Sequence, residues 1–244
     1  IKKKIPISNI PDLSKPILKI NNIIKSGWIS SGGKNVRNFE NYFSEKIGCK
    51  YSIAMSNGTT ALISAISCLK NKKTKYVAVP SLTFGACANA IISNRLKPIF
   101  IDSDPKHWNL SIDDLKKKYL KFKFKILIVV HLNGYSANIL EISRFCKKNK
   151  IKIIEDCAES LFTKFNNKFV GNYGDISTFS FFANKLITTG EGGMCSTNNK
   201  TYSKKIRISS SHGMSLSKKY WHIQEGFNHR MTSLQSAIGI TMLK

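Results

Sequence analysis

Three stretches of this 244-residue chain bring together side chains able to do chemistry. In the first, an aromatic run through Phe179, Ser180, Phe181 and Phe182 leads into Lys185, and a glycine-rich turn follows at 188–194. Most lysines of the chain read as solvated surface. Lys185 differs, because Phe179, Phe181 and Phe182 would hold it against apolar surface. Desolvation moves a lysine toward the free amine, the form that attacks a carbonyl. The second stretch, 151–159, is an apolar strand that delivers Asp156 at its carboxyl end, with Glu159 just beyond. A carboxylate there can be a buried structural acid, a metal ligand or the partner of a protonated ring nitrogen. No histidine or second acid stands at a spacing that completes a metal site, so no metal is expected. An isolated buried acid is costly without a cation beside it. The third stretch is Ser56–Asn57–Gly58–Thr59, between a strand and a helix. Amides at a helix N-terminus bind phosphate, and small residues let it come close. The same four residues also suit an ordinary turn capped by Ser or Asn.

These residues need a scaffold, and the hydropathy pattern supplies one. Short apolar strands are expected at 51–55, 76–79, 98–101, 126–130, 151–155, 176–181 and 192–196. Helical segments are expected between them at 59–69, 84–93, 112–119 and 139–148. Such alternation predicts an α/β fold with a mostly parallel sheet of seven strands and helices on both faces. Ligands of such sheets collect at the carboxyl ends of the strands. There the chain places its chemistry: Ser56 to Thr59, then Thr83 and Phe84, then Asp156, then Ser180 and Lys185. Residues 232–244 read as a helix without a stop signal, which suggests a fragment lacking a second domain.

Composition narrows the class. Hydrophobic residues make up 42% and charged residues 22% of the chain, ordinary values for a globular protein. The formal charge of +25 raises the question of a nucleic-acid partner. Its excess is almost all lysine, spread along the chain; arginine stands only at 37, 95, 144, 207 and 230. Nucleic-acid readers lean on arginine with interleaved aromatics, so the excess reads as solvated surface and no nucleic acid is expected. No apolar run approaches the roughly 20 residues needed to span a bilayer, and the lysine-rich opening does not read as a secretory signal. Six scattered cysteines, without a CxxC pair, read as free thiols in a reducing cytoplasm. His131 ends a strand and reads as a core or supporting residue. His212, His222 and His229 read as loop or surface residues.

Taken together, Ser56–Asn57–Gly58–Thr59, the strand ending in Asp156 with Glu159 after it, and the aromatic run from Gly174 to Lys185 with its glycine-rich turn resemble the sugar-aminotransferase (DegT/DnrJ/EryC1/StrS) family of fold-type-I pyridoxal-phosphate enzymes. The resemblance runs from Gly27 and Trp28 through Asn228, Arg230 and Thr232. It implies the large domain of that fold, with the C-terminal small domain missing, and pyridoxal 5'-phosphate as cofactor. It makes Lys185 the lysine that bonds covalently to the cofactor and moves a proton. Asp156 would keep the ring nitrogen protonated, Ser56, Asn57, Gly58, Thr59 and Ser180 would form the phosphate cup, and Phe84 would stack on the ring. Glu159 takes a position near the phenolic oxygen, where the family often has Gln or His. Asn228 matches a residue that reaches the neighbouring subunit's phosphate, which implies a homodimer with shared sites. Trp28, Ser30, Ser31 and Arg230 fall where the family meets its sugar nucleotide. The implied substrates are a nucleotide-linked 4-keto-6-deoxy sugar, GDP-4-keto-6-deoxymannose first, and an amino-acid donor, L-glutamate first. Relatives that remove a sugar hydroxyl replace the lysine by histidine, so Lys185 favours amine transfer.

Overall fold

The computed structural model describes Asp12 and residues 14–244; most of the lysine-rich opening lies outside the described residues. Among the described residues nine strands form: β1 (Tyr51–Met55), β2 (Tyr76–Pro80), β3 (Lys97–Ile101), β4 (Ile126–Val130), β5 (Lys152–Asp156), β6 (Lys164–Phe165), β7 (Lys168–Phe169), β8 (Ile176–Ser180) and β9 (Gly193–Thr197). Eight α-helices accompany them: α1 (Ile17–Ser26), α2 (Lys34–Ile47), α3 (Gly58–Leu69), α4 (Ala86–Ser93), α5 (Ile112–Phe122), α6 (Ile139–Asn149), α7 (Lys200–Ser209) and α8 (Ser233–Met242).

Seven strands make one sheet in the order β1-β9-β8-β5-β4-β2-β3. Its pairings are parallel except those of β9, which runs antiparallel to β1 and to β8. The expected architecture is therefore present, and each expected strand lies within a residue or two of its place. Strand β4, Ile-Leu-Ile-Val-Val, is buried along its whole length, as a strand covered on both faces must be.

Side chains alternate between the two faces. Val79, Val130, Ile154 and Ile176 point toward α3, α4 and α7. Phe179, Phe181 and Met194 point the other way, where Phe39 and Phe43 of α2 and Ile240 of α8 meet them. At the far end of that face, Ile101, Val129 and Ile153 pack with Leu115 of α5 and Ile142 of α6. Strands β6 and β7 form a separate hairpin. Its turn, Asn166–Asn167, has both residues at positive φ (45° and 60°), the geometry that suits a tight hairpin.

One expectation changes. Helix α4 begins at Ala86 rather than Phe84, since Gly85 is its N-cap and Phe84 stays outside. The last segment forms the expected helix, α8, Ser233–Met242. A capping box starts it, Thr232 and Gln235 bonding each other's backbone.

Candidate active site

Strands β1, β5 and β8 deliver their carboxyl ends to a cavity of about 490 Å³, ordinary for a small-molecule site. Asn57, Gly58 and Thr59 line it from the start of α3. Asn57 caps that helix: its side chain accepts from the Thr60 amide at 2.8 Å, and the Thr60 hydroxyl stands 3.2 Å from the Asn57 amide. The Ala61 amide bonds to the Asn57 carbonyl. With those donors used within the turn, the amides of Gly58 and Thr59 remain for a ligand. Two close approaches shape the cup. A Cβ on Gly193 would sit 2.4 Å from the Asn57 carbonyl oxygen, and one on Gly58 would meet the Ser180 Cβ at 3.0 Å. Ser180 lines the cavity beside them.

Asp156 forms the floor and is only 7% exposed. Oδ1 accepts from the Ala158 amide at 3.0 Å and Oδ2 from the Cys87 thiol at 3.1 Å. Burial pushes its carboxyl above the usual aspartate range, against the Cys87 and Ala158 hydrogen bonds and the charges of His131 and Lys185. Among the described residues Asp156 has no salt-bridge partner. A buried acid so placed favours a cationic ligand.

Lys185 lines the cavity, with its Nζ 3.8 Å from Glu159 Oε1. The other Glu159 oxygen accepts from the Asn133 amide at 2.9 Å, which holds the carboxylate in place. The aromatic surroundings expected for Lys185 are not all there. Phe179 and Phe181 point into the opposite core against Phe39 and Phe43, and only Phe182 shares the cavity with the lysine. Period-two alternation is the reason: Ser180 faces the cup, so its neighbours on β8 must face away. Phe84 lines the mouth and is 80% exposed.

Other expected residues stand outside this cavity. The Ser56 hydroxyl turns to Thr60 at 3.1 Å. Trp28, Ser30 and Ser31 lie by the start of α8, where Ser233 bonds the Ser30 carbonyl through its amide and its hydroxyl. Asn228 and Arg230 bond each other, Nε to Oδ1 at 3.0 Å. His229, expected in a loop or on the surface, stacks on Phe227 and sets Nδ1 3.0 Å from the Ser64 hydroxyl, with burial holding it below the usual histidine range. Among the described residues no cluster of His, Cys, Asp and Glu could hold a metal. Nor is any described helix long and apolar enough to cross a membrane.

Sequence reasoning missed the support under Asp156. Glu155, fully buried, accepts from the amides of Gly171, Tyr173 and Gly174 and from His131 Nε2 at 3.0 Å. His131 Nδ1 accepts from the Ala137 amide, which puts the ring hydrogen on Nε2. Burial pushes the Glu155 carboxyl up, but His131 and the Gly171 and Gly174 amides outweigh it and hold it below its ordinary value of 4.5. A depressed carboxyl contributes stability above its unfolded pKa, lost as pH falls through the folded one. Glu155→Gln should therefore cost about 1.5–3 kcal/mol at neutral pH, the worth of hydrogen bonds to a charged group, read by urea unfolding. The gap should narrow in acid. A constant gap from neutral to acid pH would refute the charge assignment.

Residues 14–244 match the DegT/DnrJ/EryC1/StrS aminotransferase family. The chain belongs to that family. Within it, 242 residues are 40% identical to the GDP-perosamine synthase of Escherichia coli O157:H7, covering 99% of this chain and 66% of that protein. Among solved structures, an aminotransferase from Psychrobacter cryohalolentis superposes with a TM-score of 0.91 at 31% identity, over 98% of this chain and 63% of that one. A GDP-4-keto-6-deoxymannose-3-dehydratase with a trapped PLP-glutamate geminal diamine also superposes at 0.91, with 25% identity, over 98% and 68%. The chain spans about three fifths to two thirds of the length of the GDP-perosamine synthases it matches.

Proposed function

We propose that this chain is the cofactor-binding large domain of a pyridoxal-phosphate-dependent aminotransferase acting on a nucleotide-linked 4-keto-6-deoxy sugar. The observation that carries the reading is Asp156: a buried acid with no ion-pair partner among the described residues, on the floor of a cavity that also holds Lys185 and a helix N-terminus. Those three features fit pyridoxal 5'-phosphate. An anionic phosphate suits the Gly58 and Thr59 amides with the Ser180 hydroxyl, a protonated ring nitrogen suits Asp156, and an aldehyde suits Lys185. When bound, the cofactor supplies an electron sink for carbanions at the substrate carbon.

The chain does the rest. Asp156 would hold the proton on the ring nitrogen, and Phe84, at the mouth of the cavity, would pack on the ring. Lys185 is the covalent anchor and then the base that moves a proton at the reacting carbon. Glu159 lies within reach of the lysine ammonium and would stand on the side of the ring's phenolic oxygen. The proposed amine acceptor is GDP-4-keto-6-deoxymannose, by similarity to the GDP-perosamine synthases, and the proposed donor is L-glutamate. Trp28, Ser30, Ser31 and Arg230 are assigned to the sugar-nucleotide side. The proposed setting is the cytoplasm, where the six free thiols persist.

The test incubates the complete protein with glutamate and a panel of nucleotide-linked keto-sugars, and analyses the products by mass spectrometry. Amination of a 4-keto-6-deoxy sugar supports the reading; turnover of none of them refutes it.

We also assign a homodimer in which Asn228 serves the partner's cup, since in its own chain it lies outside the cavity and bonds Arg230. Mixing inactive Lys185→Ala and Asn228→Ala chains should restore part of the activity, because some hybrid dimers carry one intact site. With subunit exchange confirmed, no recovery would place both residues in one chain's site.

A further inference from the structure

One buried side chain beside the cavity has no part in the chemistry above. Cys87, in the first turn of α4, is 1% exposed and packs in the apolar layer with Val79, Val130 and Ile154. Its Sγ lies 3.1 Å from Asp156 Oδ2 and 3.3 Å from the Thr83 hydroxyl. The Ala158 amide takes the other Asp156 oxygen, so the carboxylate is gripped at both ends. Thr178, the register partner of Asp156 on β8, could have offered a hydroxyl, yet its buried Oγ1 has no hydrogen-bond partner. The Asp156 side-chain contact from this layer is thus the thiol.

We propose that Cys87 is a positioning residue, whose S–H, donated to Oδ2, aims the Asp156 carboxylate into the cavity and sets how tightly it shares a ligand's proton. This rests on the reading of Asp156 as the partner of a ring nitrogen. Two donors on one carboxylate fix its plane, which a single hydrogen bond does not. A thiol is a weak donor, so it draws little charge from the oxygen it touches. A hydroxyl in its place draws more and weakens the carboxylate as a base. Burial, reinforced by the charge of Asp156, pushes the Cys87 thiol far above its ordinary range. It therefore stays protonated as a standing donor and is no nucleophile.

Infrared spectroscopy tests the contact itself, with the protein free of cofactor and then in the holoenzyme. Subtracting the spectrum of Cys87→Ala, or of volume-conserving Cys87→Ser should the alanine variant not fold, isolates the Cys87 S–H stretch. That band should lie below those of the other thiols and move upward in Asp156→Asn. A band at the position of an unbonded thiol, unmoved by Asp156→Asn, overturns the proposal. Because this measurement needs no cofactor, its failure is distinct from failure of the functional reading. In the holoenzyme, Cys87→Ala should lower kcat roughly three- to tenfold with KM for the amino donor unchanged, and shift the visible absorption of the bound cofactor. Cys87→Ser, which restores a donor but a stronger one, should lower kcat less than Cys87→Ala does and still shift the visible absorption of the bound cofactor. Native kcat and an unshifted spectrum in Cys87→Ala would overturn the positioning role.

Discussion

Replacing Lys185 with alanine should abolish transamination while leaving the cavity able to hold cofactor. The lysine is the one amine that lines the cavity with its charge toward a carboxylate, Glu159 Oε1 at 3.8 Å. Losing a positioned proton carrier alone costs about 10²–10⁴ in rate, and here the covalent anchor goes with it. The proposed phosphate cup is built on α3 and Ser180 and does not involve the lysine. Cofactor should therefore still bind to Lys185→Ala, measured by equilibrium dialysis, with turnover at background. In the native protein, borohydride should fix the cofactor covalently, and peptide mapping should find it on Lys185. A reduced adduct on any other lysine sinks the assignment.

Asp156→Asn should lower turnover much more than cofactor occupancy. An amide cannot keep a ring nitrogen protonated, so the electron sink weakens at the step that makes a carbanion. Loss of a charge-assisted hydrogen bond is worth about 1.5–3 kcal/mol, roughly a ten- to 150-fold drop in kcat. Occupancy falls less, because the cup and the lysine still hold the ligand. The substitution also removes a buried charge that lacks a salt bridge among the described residues, so stability without cofactor should hold or rise. Near-native kcat in Asp156→Asn would show that another group meets the nitrogen.

Much of this was legible in the sequence, for reasons that differ from residue to residue. Runs such as 126–130 announce themselves because a strand buried on both faces needs five apolar residues in succession. Helices α1 and α2 escaped because lysines and asparagines dilute them, although Val36, Phe39, Phe43 and Ile47 keep the helical spacing and are all buried. The β6–β7 hairpin carried its signal in Asn166–Asn167, two residues tolerant of positive φ. At the site, Lys185, Asp156 and the Ser56–Thr59 turn stand at strand ends, where the fold class alone puts ligands. What aims them came from elsewhere in the chain. The partners of Asp156 and Glu155 include Cys87 and His131, 69 and 24 residues away from the acid each one meets. No local pattern encodes such a contact. The facing of Phe179 and Phe181 was open to inference, since Ser180 between them had already been assigned to the cup.

The place of β9 has a consequence for how the protein is made. Strand β1 pairs in the sheet only with β9, and the Ser52–Ser196 contact that pins them spans 144 residues of sequence. A ribosome must therefore add about 140 residues after β1 before that strand can find its neighbour. Until then the Asn57 turn at the end of β1 has no Gly193 to lie against. Contacts of such long sequence separation form slowly. The Asn57–Thr59 half of the cavity, proposed above to bind phosphate, should thus be among the last parts to order during synthesis, and capture of a phosphorylated ligand there would mark the completion of this sheet.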